Sequence, residues 1–448
     1  MLSELAEGVR SKRADPLDLV DESLRRIEAS HATLNAVTAL RADEARAEAR
    51  AHPRAGALAG LPVLVKDLAR CRGMRTTLGS PLFADAAPDE VDDVVVARLK
   101  EAGAIVIGRS NTPAFGHAPF TTNPVFGATR NPWNPERSPG GSSGGSAAAL
   151  AAALVPLATT SDGGGSVRIP ASFCGLVGYK PSMGAIGRNV LPRWIGFSTM
   201  GATGRTVADV VLEASVILGP ARGDFLSLPR GGVAFEPHRP ARVLACRTFR
   251  STVDPVIEAA FEDALAAIAR AGTTVERVDA PSDASVAAAW FTISSAELAE
   301  SLAAVRAQWD TFEPSLTDMV LFGERITAAQ YIGATRYRHE VAARFDDLLG
   351  DDAVLVTPVA NVQSWGPDGP LPTNADDPAV ALNTPDINFT GHPAVSVPLG
   401  HDDAEVPFGL QVVAPRFADG LALGLAELLE RERPWPTVAP GYEPYPSF

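Results

Sequence analysis

Pro139-Gly140-Gly141-Ser142-Ser143-Gly144-Gly145-Ser146 opens an alanine-rich run, and Ser161-Asp162-Gly163-Gly164-Gly165-Ser166-Val167-Arg168-Ile169-Pro170 follows it. Two serine-bearing glycine loops thus flank one short helix and one short strand, near enough in sequence to return to a single site. A Gly/Ser run alone has the composition of a flexible linker or a tight turn. A linker separates polar segments, whereas this run leads into Ser146-Ala147-Ala148-Ala149-Leu150-Ala151-Ala152-Ala153-Leu154, the stretch of highest helix propensity in the chain. The glycines therefore sit at a helix start. In the second loop, Gly163 to Gly165 permit unusual backbone angles and close approach, and the chain from Val167 onward can turn into another helix. Backbone N–H groups at such starts have no intrahelical partner, which makes a ready site for an anion or oxyanion. The chemistry expected of the two loops is acyl transfer.

Competing motifs fail on spacing. Neither loop fits G-x-G-x-x-G and no G-K-[ST] follows, which argues against dinucleotide and P-loop phosphate binding. G-x-S-x-G does match at Gly140 to Gly144, but a nucleophile elbow needs a strand immediately before it. Asn131-Pro132-Trp133-Asn134-Pro135-Glu136-Arg137-Ser138-Pro139 is instead a proline-broken loop. The seven histidines are scattered and offer no obvious base for a serine.

Lysine usage says more. Among 39 cationic residues only Lys12, Lys66, Lys100 and Lys180 are lysines, so arginine fills nearly every ordinary cationic position. Lys66 ends the apolar run Leu61-Pro62-Val63-Leu64-Val65, which has strand length. A strand-end lysine can reach water beside Asp67. A buried one has its pKa lowered by desolvation and can act as a neutral base, a role closed to arginine.

Lys66 behind a hydrophobic run, the G-G-S-S-G-G-S loop and D-G-G-G-S-V-R-I-P together resemble the amidase signature family. The resemblance is continuous from about Leu61 to Val210. It returns at Val354-Leu355-Val356-Thr357-Pro358, at Asn388 to Pro398, and at Pro407-Phe408-Gly409-Leu410-Gln411. It implies an α/β fold with a single large mixed, mostly parallel sheet covered by helices on both faces. It also implies one domain over residues 1–448, with a signature core at about 61–215, a variable, partly helical substrate-side region at about 219–350, and a C-terminal return to the core at about 351–435. For the site it implies a Ser-Ser-Lys triad: Ser166 as nucleophile, and Ser142, after a cis peptide bond, bridging to Lys66. Backbone N–H groups of Gly163, Gly164, Gly165 and Ser166 would hold the oxyanion. Arg168 has two readings, a brace for the loop through Asp162 or a grip on a substrate carboxylate. Ser143 and Ser146 are expected to hydrogen-bond within the loop, and Cys174 to be a packed small residue. Relatives commonly carry Thr, Ser or Ile where this chain has Gly163; the backbone N–H is the same.

The activity this resemblance implies is hydrolysis of small non-peptide amides, aryl or alkyl amides and anilides, with carbamates (urethanes) in reach, through an acyl-enzyme on Ser166. Residues 285 to 345 hold Trp290, Phe291, Trp309, Phe312, Phe322 and Tyr331 in a mostly helical pattern; most of these are expected to be core and a few to line an apolar pocket. Phe120, Trp194 and Ile169 are the candidate pocket residues. A different enzyme reading is the glutamine-hydrolysing component of a tRNA-dependent amidotransferase. Such proteins typically read R-Q-P after the nucleophile, where this chain has Arg168-Ile169-Pro170. A catalytically silent binding protein on the same fold is a reading of another class.

Composition fits these expectations. With 448 residues, 46% hydrophobic and 21% charged, the chain can bury a large core. A net charge of −14 argues against nucleic acid or an anionic membrane as partner. Cys71, Cys174 and Cys246 form neither a disulfide framework nor metal-ligand spacing. No metal and no cofactor is expected; the partners are a small amide or carbamate and water, with a homodimer left open. The start of the chain lacks a signal-peptide profile, and the longest apolar stretch, Ala147 to Ala158, is too short and proline-interrupted to span a bilayer. The expected location is the cytoplasm.

Local patterns show helices alternating with short apolar strands, without an internal repeat, which predicts a largely parallel sheet covered on both faces. Asp15-Pro16 can start a helix with Val20, Leu24 and Ile27 on one face. Val95, Leu99 and Ala102 form a second stripe closed by Gly103 before a strand at Ala104-Ile105-Val106-Ile107. Downstream, Asp254-Pro255 opens a helix with Ile257, Phe261, Leu265 and Ile268 inward, Gly272 closes it, and Thr274 to Val278 reads as a strand. Residues 219 to 240, rich in Pro, Gly and Arg, read as a connection.

Overall fold

The computed structural model describes residues 1–371 and 378–446. Its strands are β1 (Val37–Leu40), β2 (Pro62–Lys66), β3 (Ile105–Ser110), β4 (Leu157–Ala158), β5 (Thr160–Asp162), β6 (Val177–Lys180), β7 (Thr199–Gly204), β8 (Arg242–Ala245), β9 (Thr274–Arg277), β10 (Ala353–Pro358), β11 (Ala394–His401) and β12 (Pro407–Val413). They form a four-stranded ladder ordered β1-β3-β2-β4 and an eight-stranded one ordered β5-β7-β6-β11-β12-β10-β8-β9. The α/β class and the mixed sheet are as expected, but the sheet is neither undivided nor mostly parallel. The two ladders are separate, and successive parts of one segment, β4 and β5, each pair with a different one.

Antiparallel pairing prevails among β5, β7, β6, β11 and β12, whereas β2, which carries Lys66, is parallel to both of its neighbours, β3 and β4. β6 and β7 are joined by loop, and β11 and β12 by a short turn, so each pair runs antiparallel. Within the eight-stranded ladder, strands separated in sequence by a helix agree in direction. β5 and β6, linked through the helix Arg168–Cys174, are both antiparallel to β7, which lies between them. β8 is parallel to both β9 and β10.

Caps and stops fall where the sequence puts them. The Asp15 carboxylate accepts the Leu17 N–H at 2.9 Å at the start of the helix Pro16–Leu34. Asp254 does the same for Val256 at the start of Pro255–Arg270, also at 2.9 Å. The chain has neither helix nor strand between Ile217 and Arg242, and three helices of more than ten residues fill most of 285–349.

Alternation along the strands divides the core into layers. In β2, Val63 and Val65 join a cluster with Phe261, Leu410, Val412 and Leu425, while Leu64 faces the other way toward Ile107 and the alanines of the helix Gly144–Ala151. In β10, Val354 and Val356 belong to the first cluster and Leu355 to another, built with Phe345, Val320 and Trp309 from the 285–349 helices. Both faces of these strands are therefore covered. The strand ends carry the polar groups of the site.

Candidate active site

Lys66 is the last residue of β2, held between β3 and β4. Its own N–H donates to Thr159 Oγ1 at 2.8 Å, which fixes the strand end against the segment carrying β4 and β5. The side chain is 1% exposed. Its amine lies 2.8 Å from Ser142 Oγ, 2.8 Å from Ser143 Oγ and 3.0 Å from Ser161 Oγ. Burial lowers the Lys66 pKa to about 7, against the opposing field of Asp162. An ammonium would donate to all three hydroxyls, whereas the neutral amine donates two protons and accepts one.

The two glycine loops meet here. The Gly141–Ser142 peptide is cis. Ser142, Ser161, Gly163, Ser166 and Lys66 line one cavity. Ser166 Oγ has no hydrogen-bond partner among the described residues, and its side chain faces this cavity and an adjoining apolar one. The helix Gly144–Ala151 begins at the first loop and the helix Arg168–Cys174 follows the second, as the sequence suggests. Ser143 bonds Lys66 rather than only its own loop, and Ser146 donates to Thr159 O at 2.8 Å. Ser161 was not singled out by sequence. Its position depends on β5 pairing with β7, which no local pattern announces.

The second loop is shaped by a buried carboxylate. Asp162 accepts the Gly165 N–H at 2.7 Å, the Val167 N–H at 3.2 Å and two guanidinium N–H groups of Arg168 at 2.9 Å each. Burial disfavours its charge, yet Arg168 holds the carboxyl down at about 2. The expectation of four oxyanion donors is corrected accordingly: the Gly165 N–H is committed to Asp162. The N–H groups of Gly163, Gly164 and Ser166 have no acceptor among the described residues. Gly165 has φ +128°, and a Cβ there would lie 2.1 Å from Thr384 Oγ1, so this position requires glycine. At Gly163 a Cβ would meet the Trp194 ring at 2.6 Å; the missing side chain makes room for that indole.

Arg168 is fully buried. Besides Asp162 it donates to Gln411 Oε1 and to Asn388 Oδ1, each at 2.5 Å, and it lines neither cavity. Of its two readings, the brace fits this position and the substrate-carboxylate grip does not. Asn388 Nδ2 returns a bond to Asp162 Oδ1 at 2.8 Å, and Thr384 Oγ1 donates to Gly164 O at 2.8 Å. The stretches around Asn388 and Gln411 thus close over the loop from the C-terminal part of the chain. Cys174 is buried, with its thiol pushed up by desolvation.

Of the three pocket candidates, Trp194 lines both cavities and Ile169 lines the apolar one. Phe120 lines neither; it packs on the cluster of Phe173, Val359 and Trp365 and beside Gly369. The loop after Pro119 turns it away from the site. Trp290 and Phe291, assigned mainly to the core by sequence, help form the apolar cavity, and Trp290 sits edge-on to Trp194 with ring centroids 5.3 Å apart. No group of three or more candidate metal ligands occurs among the described residues.

The family described as Amidase matches residues 18–423. The chain belongs to this amidase signature family. An acylamidase of Rhodococcus erythropolis is 31% identical over 465 residues, covering 98% of this chain and 96% of that protein. A glutamyl-tRNA(Gln) amidotransferase subunit of Thermus thermophilus is 34% identical over 448 residues, covering 92% of this chain and 93% of that protein. A bacterial aryl acylamidase of the amidase signature family superposes with a TM-score of 0.88 at 28% identity, covering 96% of each chain. The protein is therefore an amidase-signature amidohydrolase whose sheet is mixed rather than purely parallel. No helix among the described residues is long and apolar enough to cross a membrane.

Proposed function

We propose that the chain hydrolyses small non-peptide amides, anilides and alkyl amides foremost and carbamates as well, through an acyl-enzyme on Ser166. The observation that carries this reading is the buried Lys66 amine, with a pKa near 7, 2.8 Å from Ser142 in the cavity that Ser166 Oγ also lines. Neutral Lys66 takes a proton from Ser142 as Ser142 takes one from Ser166, and Ser166 Oγ attacks the carbonyl carbon. The developing oxyanion is met by the free N–H groups of Gly163, Gly164 and Ser166. One such donor contributes about 2.7 to 4 kcal/mol of barrier lowering. The proton then returns through Ser142 to the leaving nitrogen, which departs as a neutral amine. Water, activated along the same path, releases the acyl group. The apolar walls of Trp194, Trp290, Phe291 and Ile169 suit an aryl or alkyl group. Three buried free cysteines accord with a reducing cytoplasm.

A matched pair tests the relay. An anilide and an activated ester of the same acid share the attack step but differ in their need for a proton on the leaving group. Ser142→Ala is expected to slow the anilide at least tenfold more than the ester, and Ser166→Ala to abolish both. Equal losses on the two substrates with Ser142→Ala would remove Ser142 from proton delivery.

The relatives named as glutamyl-tRNA(Gln) amidotransferase subunits support a second reading, a glutamine-hydrolysing protein that works in a complex. Hydrolysis of anilides by the purified chain, without glutaminase activity, decides for the first reading. Glutamine hydrolysis gained only with partner proteins decides for the second.

A further inference from the structure

The cavity at the serines contains a charged group that the proposed relay does not use. Arg193 lines it together with Lys66, Ser142 and Ser166. Its Nε is buried without a hydrogen-bond partner, and no ion pair joins the guanidinium to an acid among the described residues. The group lies 5.1 Å from the ring centroid of Phe115, which lines the same cavity. Burial and repulsion from Arg70 lower its pKa to about 10, which leaves it cationic at neutral pH.

Neighbouring arginines show how this chain treats a buried guanidinium that serves structure. Arg188, on the same cavity, has Asp224 at 3.7 Å and donates to Ile195 O and Ser198 O. Arg168 is saturated by Asp162, Asn388 and Gln411. Asp93, the acid on the same cavity, accepts from the Arg70 backbone N–H, and burial raises its carboxyl to about 6. Arg193 therefore stands out as a partly buried cation on the cavity of the reacting groups, its Nε orphaned and without a counter-charge among the described residues, an arrangement that an anion entering the cavity would relieve.

We infer that Arg193 is a specificity-determining residue that binds a carboxylate on the substrate, so that the preferred substrates are amides bearing a second, anionic group. This rests on the amidase reading. The planar guanidinium offers a two-pronged donor matched to a carboxylate, and the Phe115 ring beside it supports the cation while excluding water. The chemistry is the same whether the carboxylate sits on the acyl or the amine half, and two substrate pairs separate these cases. N-phenylsuccinamate against butyranilide places the charge on the acyl side; 4-acetamidobenzoate against 4-acetamidotoluene places it on the amine side.

Wild-type enzyme is expected to prefer the carboxylated member of one pair by at least tenfold in kcat/KM. Arg193→Gln should lose about tenfold to hundredfold on that member, mainly in KM, with less than threefold change on its neutral partner, and Arg193→Lys should recover part of the loss. No preference in either pair, or equal losses on both members, overturns the assignment. Calorimetric binding to a Ser166→Ala background reads Arg193 without turnover: the carboxylated compound should bind at least tenfold more weakly once Arg193→Gln is added. If the wild type cleaves neither pair, the amidase reading fails while this titration still decides the role of Arg193; unchanged binding there overturns it.

Discussion

A lysine amine can serve as a base near neutrality only where water is excluded and no acid holds its proton. Lys66 meets both conditions: it is sealed at the end of β2, its amine contacts three hydroxyls, and the acid whose field reaches it, Asp162, is engaged with Arg168. The proposed relay works through the neutral amine, so kcat/KM should fall about tenfold per pH unit below about 7 and level off above it. A pH series on an anilide with a pH-independent fold checks this, and a profile that declines from pH 7 to 9 would contradict a lysine base. Lys66 was legible because lysine is so rare among the cations of this chain. Its bonds to Ser143 and Ser161 were not. They depend on how two segments 18 residues apart stack against each other, and hydroxyls at that separation leave no mark in local sequence.

The two loops and the segments that close over them form the next level. Asp162 and Arg168 lie six positions apart on the second loop, and their ion pair is sealed by Asn388 and Gln411 from the other end of the chain. Removing one partner strands the other as a buried charge, so Arg168→Met or Asp162→Asn should destabilise the protein by about 3 to 5 kcal/mol in urea unfolding. Loss of activity with unchanged stability would instead place Arg168 in substrate binding. The helix starts, caps and the β2 run were readable because each is announced within a few residues. The commitment of the Gly165 N–H to Asp162 was not, since four successive glycine-loop donors look alike until the carboxylate chooses among them. Phe120 misled for a similar reason: proximity to the first loop does not say which way the chain turns after Pro119.

Across the whole molecule, strand direction was the part that sequence conveyed least. Alternating helices and apolar strands predict class and layering, and both faces of β2 and β10 are covered. They do not reveal that β7 inserts between β5 and β6, or that β11 and β12 form a hairpin, and these choices make the sheet mixed. That topology brings Lys66 from the four-stranded ladder and Ser166 from behind β5 to one cavity. In the proposed mechanism the free hydroxyl at this junction, Ser166 Oγ, is the nucleophile. The most direct measurement is to react the native enzyme with a serine-directed fluorophosphonate or sulfonyl fluoride and map the modified peptide by mass spectrometry. A single stoichiometric adduct on Ser166, absent in Ser166→Ala, is expected. An adduct on Ser142 or Ser143 with Ser166 unmodified would contradict this mechanism.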